Sequence, residues 1–365
     1  MESGASGPKP ISLALQGGGS HGAFAWGVID RLLEDGRTDI RAVSGVSAGA
    51  MNAVALAMGL LEGGPAGGRA RLEAFWRNVS QADARNIFGD TKVWSALFNP
   101  DWLKETPAWR FAQSLADTAS PYDFNPLNLN PLAAVLDAHV DFAALRARSP
   151  IALYVAATAV RTSQSRVFRT GELTGKHILA SACLPHLFQA VEIDGEPYWD
   201  GGYLANPPLW PLFYDPTPND VLLINLNPFV RNQTPKSPDE ILNRLNEITF
   251  NAPLVSELRA VAFVQKLIEQ DLLKDEAKAL YRNVLMHAVE ADRWLQDLSM
   301  DSKFETEWSF LIKLRDRGRR AADAWLATGL ADVGVRSSVD LRADYLYTAI
   351  ADVSSPPALP PPPAA

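Results

Sequence analysis

Ser47 sits in the pentapeptide Gly45-Val46-Ser47-Ala48-Gly49, between a short apolar run (residues 40–43) and a stretch of helical periodicity (residues 48–61). A serine hydroxyl is a weak nucleophile until a neighbouring base takes its proton. G-x-S-x-G on a strand-to-helix turn exposes that hydroxyl, and Gly45 and Gly49 leave the backbone room to turn tightly. Upstream, Gly17-Gly18-Gly19 follows another apolar run (residues 11–15) and opens a second helical stretch (residues 23–33). Glycines that open a helix present free N–H groups, reinforced by the helix dipole. An acyl transfer needs such donors for its oxyanion. Gly18 and Gly19 are the candidate donors, with Gly17 as a supporting turn residue and the Ala48 N–H as an addition.

The glycine run has a rival reading. Gly17-x-Gly19-x-x-Gly22 matches the dinucleotide fingerprint G-x-G-x-x-G after a strand and before a helix. That fingerprint wants an acid at the end of the next strand, whereas Asp39 precedes it and the strand runs into Ser44–Ser47. A base for Ser47 is harder to read. Asp200, preceded by Tyr198-Trp199 and followed by Gly201-Gly202, projects from a tight turn after an extended run. Asp194 and Glu196 belong to a polar hairpin turn and read as solvated. D-G-G alone describes many ordinary turns, so local sequence nominates Asp200 without deciding it.

The elements that must position these residues alternate. Strand, helix, strand and helix occupy residues 11–61, the pattern of an open, mostly parallel α/β sheet. Further strands are predicted at residues 151–160, 165–169 and 221–226, a hairpin over 191–200 and a helix at 176–182. Residues 84–131 hold many large rings, among them Trp94, Trp102, Trp109 and Tyr122, and read as an insertion packed on the sheet or a cap over an acyl pocket. From residue 238 the chain turns helical, with periods over 241–250, 254–273 and 308–330. Arg315, Arg317, Arg319 and Arg320 read as a solvated face. Residues 1–10 are expected to be a disordered lead, 11–237 a catalytic domain, 238–353 a helical region packed on it, and 354–365 a disordered proline-rich tail.

Bulk properties narrow the partners. The net charge of −8 over 365 residues argues against nucleic acid, which favours a basic footprint, and against simple adsorption to anionic lipid. One cysteine, Cys183, excludes an intrachain disulfide. No run approaches the ~18 apolar residues of a spanning helix, and residues 1–10 lack the pattern of a secretory signal. The expectation is a soluble, cytoplasmic protein.

Taken together, Gly17–Gly19, Gly45–Gly49, Ala180-Ser181-Ala182-Cys183-Leu184-Pro185, Asp200-Gly201-Gly202 and Asn206-Pro207-Pro208-Leu209, in this order, resemble the patatin-like phospholipase family. The resemblance implies a three-layer α/β/α patatin-like fold with a mostly parallel central sheet, and a serine lipid acyl hydrolase without metal or cofactor. It implies Ser47 as nucleophile, Asp200 as general base, and the glycine loop as oxyanion hole. Its substrate would be a lipid acyl ester, met through transient contact with a membrane or lipid interface. One position departs: the family often has Arg or Lys two places after the glycine run, and this chain has His21. Two alternatives remain, a catalytically silent scaffold and a Ser–His–Asp esterase. For the latter, Ser47, Asp200 and His287 stand in α/β-hydrolase order, although residues 281–289 read as helical; His186 and His21 rank behind.

Overall fold

The computed structural model describes residues 7–82, 120–231, 233–278, 281–299 and 301–346. Most of the aromatic-rich insertion, most of the lead and the proline-rich tail lie outside the described residues.

Among the described residues eight strands form one sheet: β1 (Lys9–Leu15), β2 (Thr38–Gly45), β3 (Ala152–Ala159), β4 (Gln164–Arg169), β5 (Val191–Ile193), β6 (Glu196–Asp200), β7 (Asp220–Ile224) and β8 (Leu285–Val289). The order is β5-β6-β3-β2-β1-β7-β8, with β4 paired to β3. Strands β3, β2, β1, β7 and β8 run parallel, and β4, β5 and β6 run antiparallel to their neighbours. Strand β1 begins at Lys9, inside the expected lead, because the Lys9 ammonium donates to the carbonyls of Leu330, Ala331 and Val333.

Side chains along the parallel strands alternate between two cores, as the two-residue period of a strand requires. Leu13, Leu15, Val43, Val155, Leu222 and Ile224 enter one core; Ala14, Ala42, Tyr154, Ala156, Val221 and Leu223 enter the other. Helix α1 (Gly22–Asp35), α2 (Ala48–Gln81), α3 (Gly175–Ser181) and α5 (Trp308–Thr328) pack on the first face, and α4 (Pro238–Glu269) on the second. This is the three-layer α/β/α fold.

Helix α2 kinks just past the periodic stretch of residues 48–61: Gly63 and Gly64 are non-helical and Pro65 follows. The two helices predicted at 241–250 and 254–273 are one, α4, which passes through Pro253. The C-terminal helix is part of the core. Gly27 of α1 and Gly318 of α5 bring the two backbones so close that a methyl group at either would strike the other helix's carbonyl. The basic cluster is also paired instead of merely solvated: Arg319 binds Asp30 and Glu34 on α1, and Arg317 grips Asp297.

Candidate active site

The topology explains how two residues far apart in sequence come together. Strand β4 pairs along one edge of β3 from Tyr154 to Ala159. The opposite edge is shared. Strand β2 covers Ala152–Val155 running parallel, and β6 covers Ala157–Ala159 running antiparallel. The two strands therefore meet C-terminal end to C-terminal end. Gly45 stands opposite Val155 and Asp200 opposite Ala157, two residues apart along β3 or ~7 Å.

Ser47 takes the corner between β2 and α2 with φ 53° and ψ −124°. A side-chain-bearing residue with positive φ costs on the order of 1–3 kcal/mol and persists only where the surroundings hold it. Here they do. A Cβ on Gly45 would lie 2.7 Å from the Gly49 carbonyl group, and one on Gly49 would collide with the carbonyl of Leu15. Any side chain at either glycine would force the corner open. The Ser47 N–H donates to the Ser181 hydroxyl (3.0 Å), and the Asp200 N–H to the Cys183 carbonyl (2.8 Å). One segment at the end of α3 thus braces both residues.

Asp200 is fully buried. Its Oδ1 accepts from the Gly202 N–H at 2.7 Å. Its Oδ2 is buried without a hydrogen bond of ordinary geometry. Burial pushes the carboxyl up to about 7, against the opposing pull of the Gly202 N–H and of the nearby Ser47 hydroxyl. An ionised, under-bonded oxygen beside a serine hydroxyl is chemically a proton acceptor.

The glycine loop lies directly against Ser47, since a Cβ on Gly17 would sit 2.8 Å from the Ser47 Cβ. Its three N–H groups are not equivalent. Gly17 donates to Asn206 Oδ1 at 2.7 Å, so its N–H is already taken. Gly18, Gly19 and Ala48 make no N–H hydrogen bond to any described residue, and each lies at the start of a helical turn. They are the free donors.

Beneath the loop is a buried amide network that local sequence does not announce. Gln16 Oε1 accepts from the N–H groups of Leu226 and Asn227, and Gln16 Nε2 donates to Asn251 Oδ1 at 3.1 Å. Asn227 Nδ2 reaches the Gly17 carbonyl, and Asn206 Nδ2 reaches that of Phe250. Only the Asn206-Pro207-Pro208 signature hinted at any member of it.

The histidines separate clearly. His287 lies on strand β8, not on a helix, because this segment adds a parallel strand beside β7. It is three strands from β2, ~14 Å across the sheet. It bonds Asp220 Oδ1 (3.0 Å) and Ser338 Oγ (2.9 Å) instead, so it is out of reach of Ser47. His186 is exposed. His21 is buried beside the loop, with Nε2 2.7 Å from Ser302 Oγ. Because Ser302 donates to the Ser299 carbonyl, its oxygen accepts from His21, which places the proton on Nε2. Burial, helped by the charge of Lys303, lowers His21 to about 3, so it is neutral and brings no cation to the site.

No group of described residues has the composition of a metal site. Gly22, the third glycine of the dinucleotide pattern, packs on Ala48, so the loop is seated against the Ser47 turn.

A family model for patatin-like phospholipases matches residues 13–213, more than half of the chain. The chain belongs to this family. The matched span contains the glycine loop, Ser47 and Asp200, and leaves out α4 and α5. No curated protein matches the chain. Among solved structures it is similar to VipD from Legionella pneumophila, at 16% identity and a TM-score of 0.38, covering 88% of this chain and 67% of that one. It is also similar to a chain of the ExoU–SpcU complex of the type III secretion system of Pseudomonas aeruginosa. There the identity is 21% and the TM-score 0.33, covering 88% of this chain and 60% of that one. A chain of the full-length form of that complex matches at 15% identity and a TM-score of 0.28, covering 87% of this chain and 53% of that one.

Proposed function

We propose that the protein is a serine lipid acyl hydrolase that works through a Ser47–Asp200 dyad. Membership of a phospholipase family supports hydrolysis of lipid esters in general. The observation that carries the finer reading is the buried, under-bonded Asp200 carboxylate at the end of β6, facing the strained Ser47 corner at the end of β2. Asp200 takes the hydroxyl proton as Ser47 attacks the ester carbonyl. The N–H groups of Gly18, Gly19 and Ala48 receive the oxyanion, an effect worth ~3–4 kcal/mol per well-placed donor. The alcohol leaves with the proton, and an acyl-enzyme remains. Water, deprotonated by the same carboxylate, releases the fatty acid.

A lipid surface suits the outer face. Ile241, Leu242, Leu245 and Ile248 form an exposed apolar stripe at helical spacing on α4. The same helix carries Phe250 onto Gly202 and Asn251 into the amide network. A substrate drawn from a lipid interface would enter along this side, without any membrane-crossing helix among the described residues.

The test is the pH profile of p-nitrophenyl butyrate hydrolysis, with the Ser47→Ala protein as blank. The base works ionised, and its folded pKa is raised to about 7. Activity should therefore be full above that pH and fall about tenfold per unit below it. A Ser47-dependent rate that stays flat down to pH 5 would remove Asp200 as base. No Ser47-dependent rate on any ester would favour the silent scaffold.

A further inference from the structure

The site has an unclaimed cation. Lys303 arrives from the C-terminal part on the short turn Asp301–Phe304. Its carbonyl presses against the Cα of Gly19 so closely that a methyl group there would collide with it. Its ammonium donates to Asn227 Oδ1 (2.8 Å) and Asn246 Oδ1 (3.0 Å). Asn227 in turn holds the Gly17 carbonyl, so the charge lies one amide side chain away from the glycine loop.

We propose that Lys303 is an anion subsite of this active centre and holds the phosphate of a phosphate-bearing lipid ester beside the glycine loop. The proposal rests on the acyl-hydrolase reading above.

Three observations carry it. First, both ligands of the ammonium are neutral amides, and no described carboxylate lies within ion-pair distance of it. An ammonium has three donors, so one remains for a ligand. Second, the neighbouring cations are spent. Arg231 and Arg244 both bind Glu247, and His21 is neutral. Third, the half-buried Lys303 has its pKa pulled down to about 8 by burial, against the opposing charge of Glu247, which is already shared by Arg231 and Arg244. A desolvated ammonium whose nearest carboxylate already serves two arginines gains from a bound anion. The oxyanion already has its N–H donors, and the charge is offset from them by Asn227. In a glycerophospholipid the phosphate is likewise offset from the acyl carbonyl by a few bonds. The cation missing at position 21 is thus supplied from position 303.

The test compares dihexanoylphosphatidylcholine below its micelle concentration with dihexanoylglycerol, using wild type, Lys303→Met and Lys303→Arg. Circular dichroism checks that each is folded. A second arm measures binding of glycerol 3-phosphate and inorganic phosphate by calorimetry, which needs no turnover. Lys303→Met should lower the phosphatidylcholine-to-diglyceride ratio of kcat/KM by ~10-fold or more, mainly through KM, as loss of a charged hydrogen bond implies. Lys303→Arg should recover most of that ratio, and glycerol 3-phosphate should bind wild type but not Lys303→Met. An unchanged ratio, with both substrates losing equally or neither losing, would overturn the proposal. Inorganic phosphate binding as tightly as glycerol 3-phosphate would overturn the lipid assignment in favour of a free-phosphate site. If wild type hydrolyses neither ester, the acyl-hydrolase reading fails on its own. The calorimetry still decides the subsite, since absence of Lys303-dependent binding overturns it.

Discussion

Asp200→Asn should abolish ester hydrolysis and at the same time make the protein more stable at neutral to alkaline pH. The activity loss follows from the proposed role, since a general base contributes ~10²–10⁴-fold and an amide cannot take the proton. The gain in stability follows from linkage. The folded pKa of Asp200 is raised from 3.8 to about 7, so between these values the native state binds more protons than the unfolded chain. Stability then falls as pH rises through that window, and above it the full penalty of burying a carboxylate is present. At ~1.4 kcal/mol per unit, the penalty is at most ~4 kcal/mol. Asparagine keeps the Oδ1 acceptor for the Gly202 N–H and turns its amide toward Ser47 without a charge. Thermal melts at pH 5 and pH 8 check this: the variant's advantage should be larger at pH 8. An active Asp200→Asn enzyme, or a variant less stable at pH 8 than wild type, would contradict the assigned role and the buried-charge account.

Gly17→Ala should cost ~10²-fold in kcat while leaving a folded protein. The added methyl meets the Ser47 Cβ at 2.8 Å and the Val46 carbonyl at 3.1 Å, so the loop must move off the nucleophile corner. The N–H groups of Gly18 and Gly19 move with it. A displacement of ~1 Å at a reacting centre is enough for a loss of this size. The amide network should hold the loop's ends, because Gln16 and Asn227 keep their backbone partners. Steady-state kinetics with a circular dichroism control read the effect. Wild-type kcat in Gly17→Ala would mean that the loop does not serve the oxyanion.

Much of this arrangement is legible in the sequence because its signals are local. Gly45 and Gly49 mark a corner that only glycine permits, and the apolar runs around them give β1, β2 and the starts of α1 and α2. The turn at Asp194-Gly195, with both residues at positive φ, gives the β5–β6 hairpin. What local signals could not give is contact across the fold. The end-to-end meeting of β2 and β6 depends on both sharing one edge of β3. Leu285–Val289 reads as helical in isolation and becomes a strand because β7 offers an unpaired edge. Proline at 253 suggests two helices, yet it breaks only one turn of hydrogen bonding in a helix anchored by Leu254 and Leu258. Gln16, Asn227 and Asn251 resemble ordinary loop amides until the chain closes around them. Lys303 lies far outside the motifs and meets the glycine loop only through the packing of the C-terminal helices.

The central claim is that Ser47 forms a covalent acyl intermediate, and intact mass spectrometry with peptide mapping after treatment with a fluorophosphonate tests it most directly. A single adduct on Ser47 in wild type, greatly slowed in Asp200→Asn, is the predicted result. Absence of labelling at pH 8, or an adduct on another serine such as Ser338 beside His287, would contradict it.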